Sequence, residues 1–184
     1  RINWGMNTVW NPNDWFNNFN YLDFDYEERP GSDAVLVSFF PGAMSRLSLA
    51  YKWASEDSNN VAAINYRFNY STYDIQVLGG VYGNDFAAGL GWDGSIKSAG
   101  FKTEASFFIP RFHTEKYSGA LSLATQIDYS FSNGLYVMGS YLFNSAGARQ
   151  PIPLTGFYNT LPSAKTLMPN RHTGFGMTMY AFSP

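Results

Sequence analysis

Three groups of side chains in this sequence have residue types and spacing that could support chemistry. A run of carboxylates between positions 23 and 28 could bind calcium through its oxygens. Two histidines, His113 and His172, could each act as the base for a serine nucleophile. A third set consists of charged residues that alternate with apolar ones, a pattern that places charge on one face of a β-strand. This third set comprises Arg46, Lys52, Arg67, Asp74, Lys102, Glu104 and Asp128.

Neither the acidic run nor the histidines belong to a catalytic or metal-binding motif. The acidic run lacks the glycine and the ligand spacing of an EF-hand loop, which favours a solvated or arginine-paired turn over a calcium site. Neither histidine is followed by serine two positions later, and no Gly-x-Ser-x-Gly sequence occurs. We therefore expect no enzyme activity, no bound metal and no cofactor. A membrane lipid hydrolase remains a less favoured alternative.

The composition excludes several other classes of protein. Only 14% of the 184 residues are charged, against about 25% in an ordinary soluble domain. The aromatic fraction of 18% argues against disorder, and the absence of cysteine excludes disulfides and thiol nucleophiles. A net charge of −2 gives no basic excess to attract nucleic acid, so we expect no nucleic-acid partner.

The dominant pattern along the chain has a period of two residues. In 61–70, for example, Ile64, Tyr66 and Phe68 share one face, and Asn65 and Arg67 share the other. This alternation is typical of β-strands with one apolar and one polar face. The same pattern appears clearly in 45–54, 99–107 and 121–131 and more weakly in 1–9, 34–41, 73–82, 85–93, 134–143 and 173–182. The sequence thus predicts an all-β, antiparallel fold of about ten strands in one domain, 1–184, with all seven charged residues on the polar face.

The connections between these strands tend to alternate between short and long. The short ones carry turn-forming sequences, such as Asp93-Gly94-Ser95 and Ser132-Asn133-Gly134. The longer connections cover 10–33, 109–118 and 144–172, and we expect the last, which is rich in proline, to be an external loop. Short turns on one side and longer loops on the other are typical of outer-membrane barrels.

Aromatic residues cluster near both predicted ends of the strands, as the two aromatic girdles of a membrane barrel would require. They are Tyr70, Tyr73, Tyr129, Phe131 and Tyr136 at the short turns and Trp53, Tyr82, Phe107, Phe108 and Phe143 at the other end. A chain without a long apolar run can still cross a bilayer, because transmembrane β-strands alternate. We therefore predict an antiparallel transmembrane β-barrel in a bacterial outer membrane, in contact with its lipids and lipopolysaccharide. A soluble lipid-binding barrel, with its apolar face enclosed, is the alternative.

The connection over 10–33 contains too many large apolar side chains to remain in water. We expect it to fold inward and to form a constriction or a cap. Asn11 before Pro12 fits a helix N-cap and first helical position, which predicts a short helix over 13–20. The candidate constriction residues are Trp10, Asn11, Pro12, Asp14, Trp15, Asp23, Asp25 and Arg29.

Motifs near the start of the chain resemble those of a family of porin-like outer-membrane barrels. They are Arg1, Trp4 and Gly5, then Asn11-Pro12-x-Asp14, then the stretch from Arg29 to Ala34. The resemblance implies passive diffusion of small solutes through a larger barrel. Because residues 1–5 begin within a predicted strand, we expect further strands before residue 1, so that the ten strands form the C-terminal part of that barrel. The seven charged residues would then line the pore. A non-conducting structural barrel, in which those charges pair and fill the interior, is the alternative. Homo-oligomerisation or accessory subunits would suit either reading.

Overall fold

The computed structural model describes residues 2–17, 33–55, 59–112, 119–150, 152 and 163–182, and within them it contains one antiparallel sheet of nine strands and no α-helix. Each strand pairs with the next one along the chain, so the spatial order follows the sequence order. The predicted all-β antiparallel fold is confirmed. The sheet is not closed, because its first and last strands pair on one side only. The strands are β1 (Ala34–Gly42), β2 (Ser45–Lys52), β3 (Val61–Tyr70), β4 (Tyr73–Tyr82), β5 (Asp85–Ile96), β6 (Ala99–Pro110), β7 (Ala120–Ser130), β8 (Leu135–Asn144) and β9 (His172–Tyr180).

The predicted strand over 1–9 and the predicted helix over 13–20 are both wrong in their described parts. Residues 2–17 are irregular and belong to no strand of the sheet. The backbone N–H of Asp14 donates to the carbonyl oxygen of Asn11 at 3.1 Å, which closes a turn around Pro12 where a helix was expected. We call residues 2–17 the inner segment, because they pack flat against one face of the sheet.

The inner segment buries large apolar side chains on the face that it covers, which we call the inner face. Trp15 and Phe16 are each only 1% exposed, and Trp4 contacts the edge of the Phe16 ring with 5.0 Å between centroids. Small residues of the strands, including Ala63 and Ala87, complete this core. Part of the β8–β9 connection, residues 163–171, lies beside it and buries Leu167 and Met168 around Trp10. Residues 163–171 of the predicted external loop are therefore packed on the inner face.

The opposite, outer face of the sheet exposes apolar side chains along most of the strands. Val37, Phe39 and Leu90 are 60%, 64% and 61% exposed. Alternation explains the difference between the faces, because neighbouring residues point to opposite sides of a strand. The buried polar side chains of the strands lie on the inner face. They include Ser48, Asn65, Gln76, Glu104, Ser106, Ser122 and Gln126.

The two ends of the sheet carry connections of different length. At the short-turn end, strands are joined by residues 43–44, 71–72, 97–98 and 131–134. At the long-loop end, the connections are 53–60, 83–84, 111–119 and 145–171. One predicted turn is wrong: Asp93-Gly94-Ser95 belongs to β5, and the chain turns instead at Lys97, with φ 58°, and Ser98.

The aromatic residues near the strand ends do not all face outward. Tyr82, Phe108 and Tyr136 occupy inner-face positions, and Phe108 is fully buried against Trp15 and Tyr82. These three residues therefore cannot contribute to an outer aromatic girdle.

No helix in the part of the chain that the structure describes is long and apolar enough to span a membrane.

Candidate functional site

Glu104 lies on the inner face of β6 and anchors the inner segment to the sheet. Its side chain is fully buried. One carboxylate oxygen, Oε1, accepts the backbone N–H groups of Met6 and Asn7, the latter at 2.6 Å. The other oxygen, Oε2, accepts the N–H of Asn13 at 3.0 Å. Among the described residues no cation forms an ion pair with Glu104, so the turned backbone of the inner segment supplies the donors that this carboxylate needs.

Polar side chains of β4 and β6 satisfy the rest of the inner segment's first attachment. The side-chain amide of Asn13 donates to the carbonyl oxygen of Leu90 at 2.9 Å and to Gln76 Oε1 at 3.2 Å. Gln76 Nε2 in turn donates to the carbonyl oxygen of Trp4 at 2.9 Å. Trp15 Nε1 donates to Ser106 Oγ at 2.8 Å. Buried polar groups require such partners, so this pairing fixes the segment's position on the sheet.

A second attachment joins the inner segment to β7. Gln126 Oε1 accepts the backbone N–H of Thr8 at 3.1 Å, and Gln126 Nε2 donates to Thr8 Oγ1 at 3.2 Å. Asn7 Nδ2 donates to the carbonyl oxygen of Ala124 at 3.3 Å. The segment is thus bonded to β4, β5, β6 and β7, and these bonds keep it on the sheet.

Two glycines of β5 allow the segment to approach the sheet closely. A Cβ atom at Gly91 would lie 2.6 Å from Met6 Sδ and 2.8 Å from Gln76 Oε1. A Cβ atom at Gly89 would lie 2.8 Å from Asn13 Oδ1. Glycine in the middle of a strand often marks such a close approach.

Gly91→Val should therefore loosen the inner segment. Forcing methyl groups into a packed site costs about 1–3 kcal/mol, and we expect a loss of that size in the free energy of unfolding. Thermal unfolding in detergent micelles measures it. Gly139→Val is the matched control, because an added Cβ there meets nothing within 4 Å and valine suits a strand. Equal losses in both variants would show that Gly91 makes no special contact.

The segment 163–171 has its own polar attachments to the inner face. Lys165 forms an ion pair with Asp85, whose side chain is 4% exposed. Ser122 Oγ lies 3.2 Å from the carbonyl oxygens of Ala164 and Lys165, and Asn144 Nδ2 donates to that of Met168 at 2.8 Å. Two separate parts of the chain therefore converge on one face of the sheet.

The strand registers place all seven charged residues predicted to line a pore on the inner face. They do not form one cluster. Lys102 pairs with Asp93 at 3.0 Å, and Arg67 lies 3.9 Å from Asp74. Asp128 Oδ1 accepts Gln126 Nε2 at 3.4 Å.

The remaining two cations of this set lie towards opposite ends of β2. Arg46 is directly opposite Arg67 near the short-turn end. Lys52 is opposite Val61 near the long-loop end.

Of the predicted constriction residues, five lie in the inner segment on the inner face. Trp10, Pro12, Asp14 and Trp15 are buried there, and Asn11 is half-buried. The other three constriction residues, Asp23, Asp25 and Arg29, lie outside the described residues. The acidic run and His113 lie outside them as well.

His172 begins β9, and its Nδ1 is 2.7 Å from the hydroxyl oxygen of Tyr141. The ring also lies against Phe143, so aromatic neighbours hold it. No group of three or more metal-ligating side chains occurs within the described ranges.

Sequence reasoning missed the roles of Asn13, Gln76, Ser106 and Gln126. Alternation could place the strand members of this group on the polar face, but it could not show which distant residues they would bind.

No protein-family model, curated protein or solved structure matches this chain. The resemblance to porin-like barrels therefore stays a prediction, and the interpretation of the inner face depends on its geometry.

Proposed function

We propose that this chain is part of an outer-membrane β-barrel that allows passive diffusion of small solutes, with the inner segment narrowing the lumen. The observation that carries the proposal is the division between the two faces of the sheet. The outer face exposes apolar side chains such as Phe39 and Leu90, whereas the inner face buries polar ones under the chain's own inner segment. A membrane barrel requires lipid-facing apolar residues and a polar interior.

The extent of the exposed apolar surface supports lipid as its covering. Soluble monomers rarely expose contiguous apolar patches above a few hundred Å². Here large apolar side chains more than 40% exposed occur on the outer faces of β1, β2, β3, β4, β5, β6 and β7. The alternative of a soluble lipid-binding barrel needs this face to be enclosed, and the observed arrangement is the reverse.

The open edges of the sheet support a barrel with further strands. The outward edges of β1 and β9 carry backbone groups that no strand in the described part of the chain pairs. Unpaired groups of this kind cost several kcal/mol each within a bilayer, which is why membrane sheets close. Near these edges the inner face is also uncovered. Leu36 on the inner face of β1 is 43% exposed, and Phe175 on the inner face of β9 is 42% exposed. Additional strands would pair both edges.

Leu90→Lys should prevent stable insertion if lipid covers the outer face. A lysine near the bilayer midplane costs about 2–4 kcal/mol, and Leu90 lies near the middle of β5. The heat-resistant, folded fraction recovered after refolding into lipid vesicles measures this loss. Met44→Lys is the control, because Met44 is exposed in the β1–β2 turn and a charge there stays in water. A Leu90→Lys protein that inserts as well as the control would contradict the membrane assignment.

A non-conducting structural barrel is the second candidate, and the packing of the inner face favours it. The inner segment and residues 163–171 both bury aromatic and aliphatic side chains against the inner face, so both are packed onto the sheet. Single-channel conductance in planar bilayers separates the two functions. We expect discrete conductance from the whole protein and a larger value after deletion of residues 2–17. Silence from both forms, in protein shown to be inserted, would overturn the channel and leave the structural barrel.

A further inference from the structure

Two arginines face each other on the inner face near the short-turn end. Arg46 of β2 is directly opposite Arg67 of β3 in the antiparallel register. Like charges in this position destabilise a sheet unless something neutralises them. Asp74 lies 3.9 Å from Arg67 and its other oxygen accepts Asn69 Nδ2 at 3.1 Å, so it compensates one arginine in part. Arg46 has no hydrogen-bond or ion-pair partner among the residues that the structure describes.

An open hollow of about 420 Å³ lies at these arginines. Phe40, Met44 and Asn69 line it together with Arg46, Arg67 and Asp74. No residue of the inner segment takes part in the lining, so the segment leaves the hollow accessible. Its volume suits a small organic solute, and its lining combines apolar surface with a few charged groups, as small-molecule sites commonly do.

A buried asparagine lies one inner-face position beyond Arg67. Asn65 is 1% exposed, and among the described residues neither its side-chain oxygen nor its side-chain nitrogen has a hydrogen-bond partner. Most buried polar atoms are paired, so an amide with both atoms unpaired needs an explanation. Residues 65 and 67 project from the same face of β3 about 7 Å apart. Asn65 is not among the residues that line the hollow, so its amide is a separate buried feature beside the two arginines.

We propose that Arg46 and Arg67 form a binding site for small carboxylate-bearing solutes at the short-turn end of the lumen. Guanidinium groups bind carboxylates through two parallel hydrogen bonds, and an anion between the two arginines would remove their repulsion. The inference deepens the proposed function, on which it rests, by naming the class of solute. The binding step itself needs the folded inner face and does not require conduction.

Succinate is the probe, and its uncharged analogue succinamide is the matched ligand control. Saturation-transfer NMR on the whole protein in detergent micelles measures the affinity of each. We expect succinate to bind and succinamide to bind at least tenfold more weakly. Arg46→Gln should weaken succinate binding by about tenfold, the effect of losing one charge-assisted contact. Asp74→Asn should strengthen it, because the carboxylate that competes for Arg67 is removed.

Lys52→Gln is the matched protein control. It removes one positive charge from the same strand and the same face, six residues from Arg46 and therefore about 20 Å away. We expect it to leave succinate binding unchanged. Equal weakening by Lys52→Gln and Arg46→Gln would overturn the site in favour of general charge attraction. Equal binding of succinate and succinamide would also overturn it.

Conductance separates this proposal from the proposed function. If succinate binds as expected and inserted protein conducts no ions, the site stands and the channel is overturned. If the protein conducts but succinate does not bind, the channel stands and the site is overturned. If both hold, the reversal potential in a potassium chloride gradient should shift towards potassium selectivity in Arg46→Gln.

Discussion

Glu104→Ala is expected to release the inner segment from the sheet. The substitution leaves the backbone N–H groups of Met6, Asn7 and Asn13 without their buried acceptor. Hydrogen bonds to charged groups contribute about 1.5–3 kcal/mol each, so the loss of all three should exceed the effect of an ordinary surface substitution several-fold. Amide hydrogen exchange in micelles measures it directly. Protection at these three amides should fall about a hundredfold or more, while the strands remain protected.

Two further variants make this result interpretable. Glu104→Gln keeps one acceptor oxygen but presents an NH₂ group to one side, so it should give an intermediate loss of protection. Asp93→Asn removes a carboxylate from the same face, where its only described partner is Lys102, and should not affect the inner segment. If Asp93→Asn exposes the three amides as much as Glu104→Ala does, net charge on the inner face explains the effect and the specific bonds do not. If the protein conducts ions as proposed, Glu104→Ala should also give a larger conductance in bilayers.

Trp15→Ala should produce the second largest effect, a loss of about 3–5 kcal/mol in the free energy of unfolding. The Trp15 side chain is 1% exposed, its ring centroid is 6.0 Å from that of Phe108, and its Nε1 donates to Ser106. Removing the ring leaves a cavity between the inner segment and the sheet, and it leaves Ser106 without a donor. Urea unfolding in micelles measures the loss.

Trp15→Phe separates packing from hydrogen bonding at this position. Phenylalanine keeps much of the ring volume and loses the bond to Ser106, so we expect roughly 1–2 kcal/mol of destabilisation. Trp53→Ala is the control for removing a tryptophan, because Trp53 is 49% exposed at the end of β2. A Trp53→Ala loss as large as that of Trp15→Ala would show that the inner segment contributes little to the stability of the sheet.

The amino-acid sequence predicted nine strands in nearly their observed places, but its tenth strand was wrong for a specific reason. Ile2, Trp4 and Met6 alternate as strand residues do, and all three are buried. Their burial comes from packing onto the inner face, while the backbone groups nearby bond to side chains. Alternation of apolar residues predicts which residues are buried. It does not show whether their backbone groups bond to a neighbouring strand in a β-ladder or to side chains of a distant strand.

The misplaced turn at Asp93-Gly94-Ser95 has a similar cause. Glycine is typical of turns, yet Gly94 lies within β5, where a Cβ atom would collide with the ring of Tyr73. The close approach of a neighbouring ring explains this glycine. Lys97 takes the positive φ that the real turn needs, although lysine is not a residue that predicts such a conformation. Local composition could not predict the contact of Gly94 with Tyr73 or the positive φ of Lys97.

For the candidate site, the sequence could predict only which face of the sheet carries its residues. The strand period placed Glu104 and Arg46 on the polar face, which is where they lie. It did not distinguish the buried anchor from the accessible arginine, because that difference depends on where the inner segment settles. The segment's own contacts depend on residues from four different strands, and no local pattern encodes them.

The bonds between the inner segment and the sheet join residues that are 63 to 118 positions apart in the chain. The inner segment is synthesised before these strands and can therefore reach its place only after β6 and β7 exist and have paired. Such non-local contacts form slowly, because a long stretch of chain must close before any of them is gained. During that interval Trp4, Trp10 and Trp15 lack their covering, which makes the unfinished protein prone to aggregation. The order of synthesis thus leaves the apolar side chains of the inner segment exposed until the strands that cover them are in place.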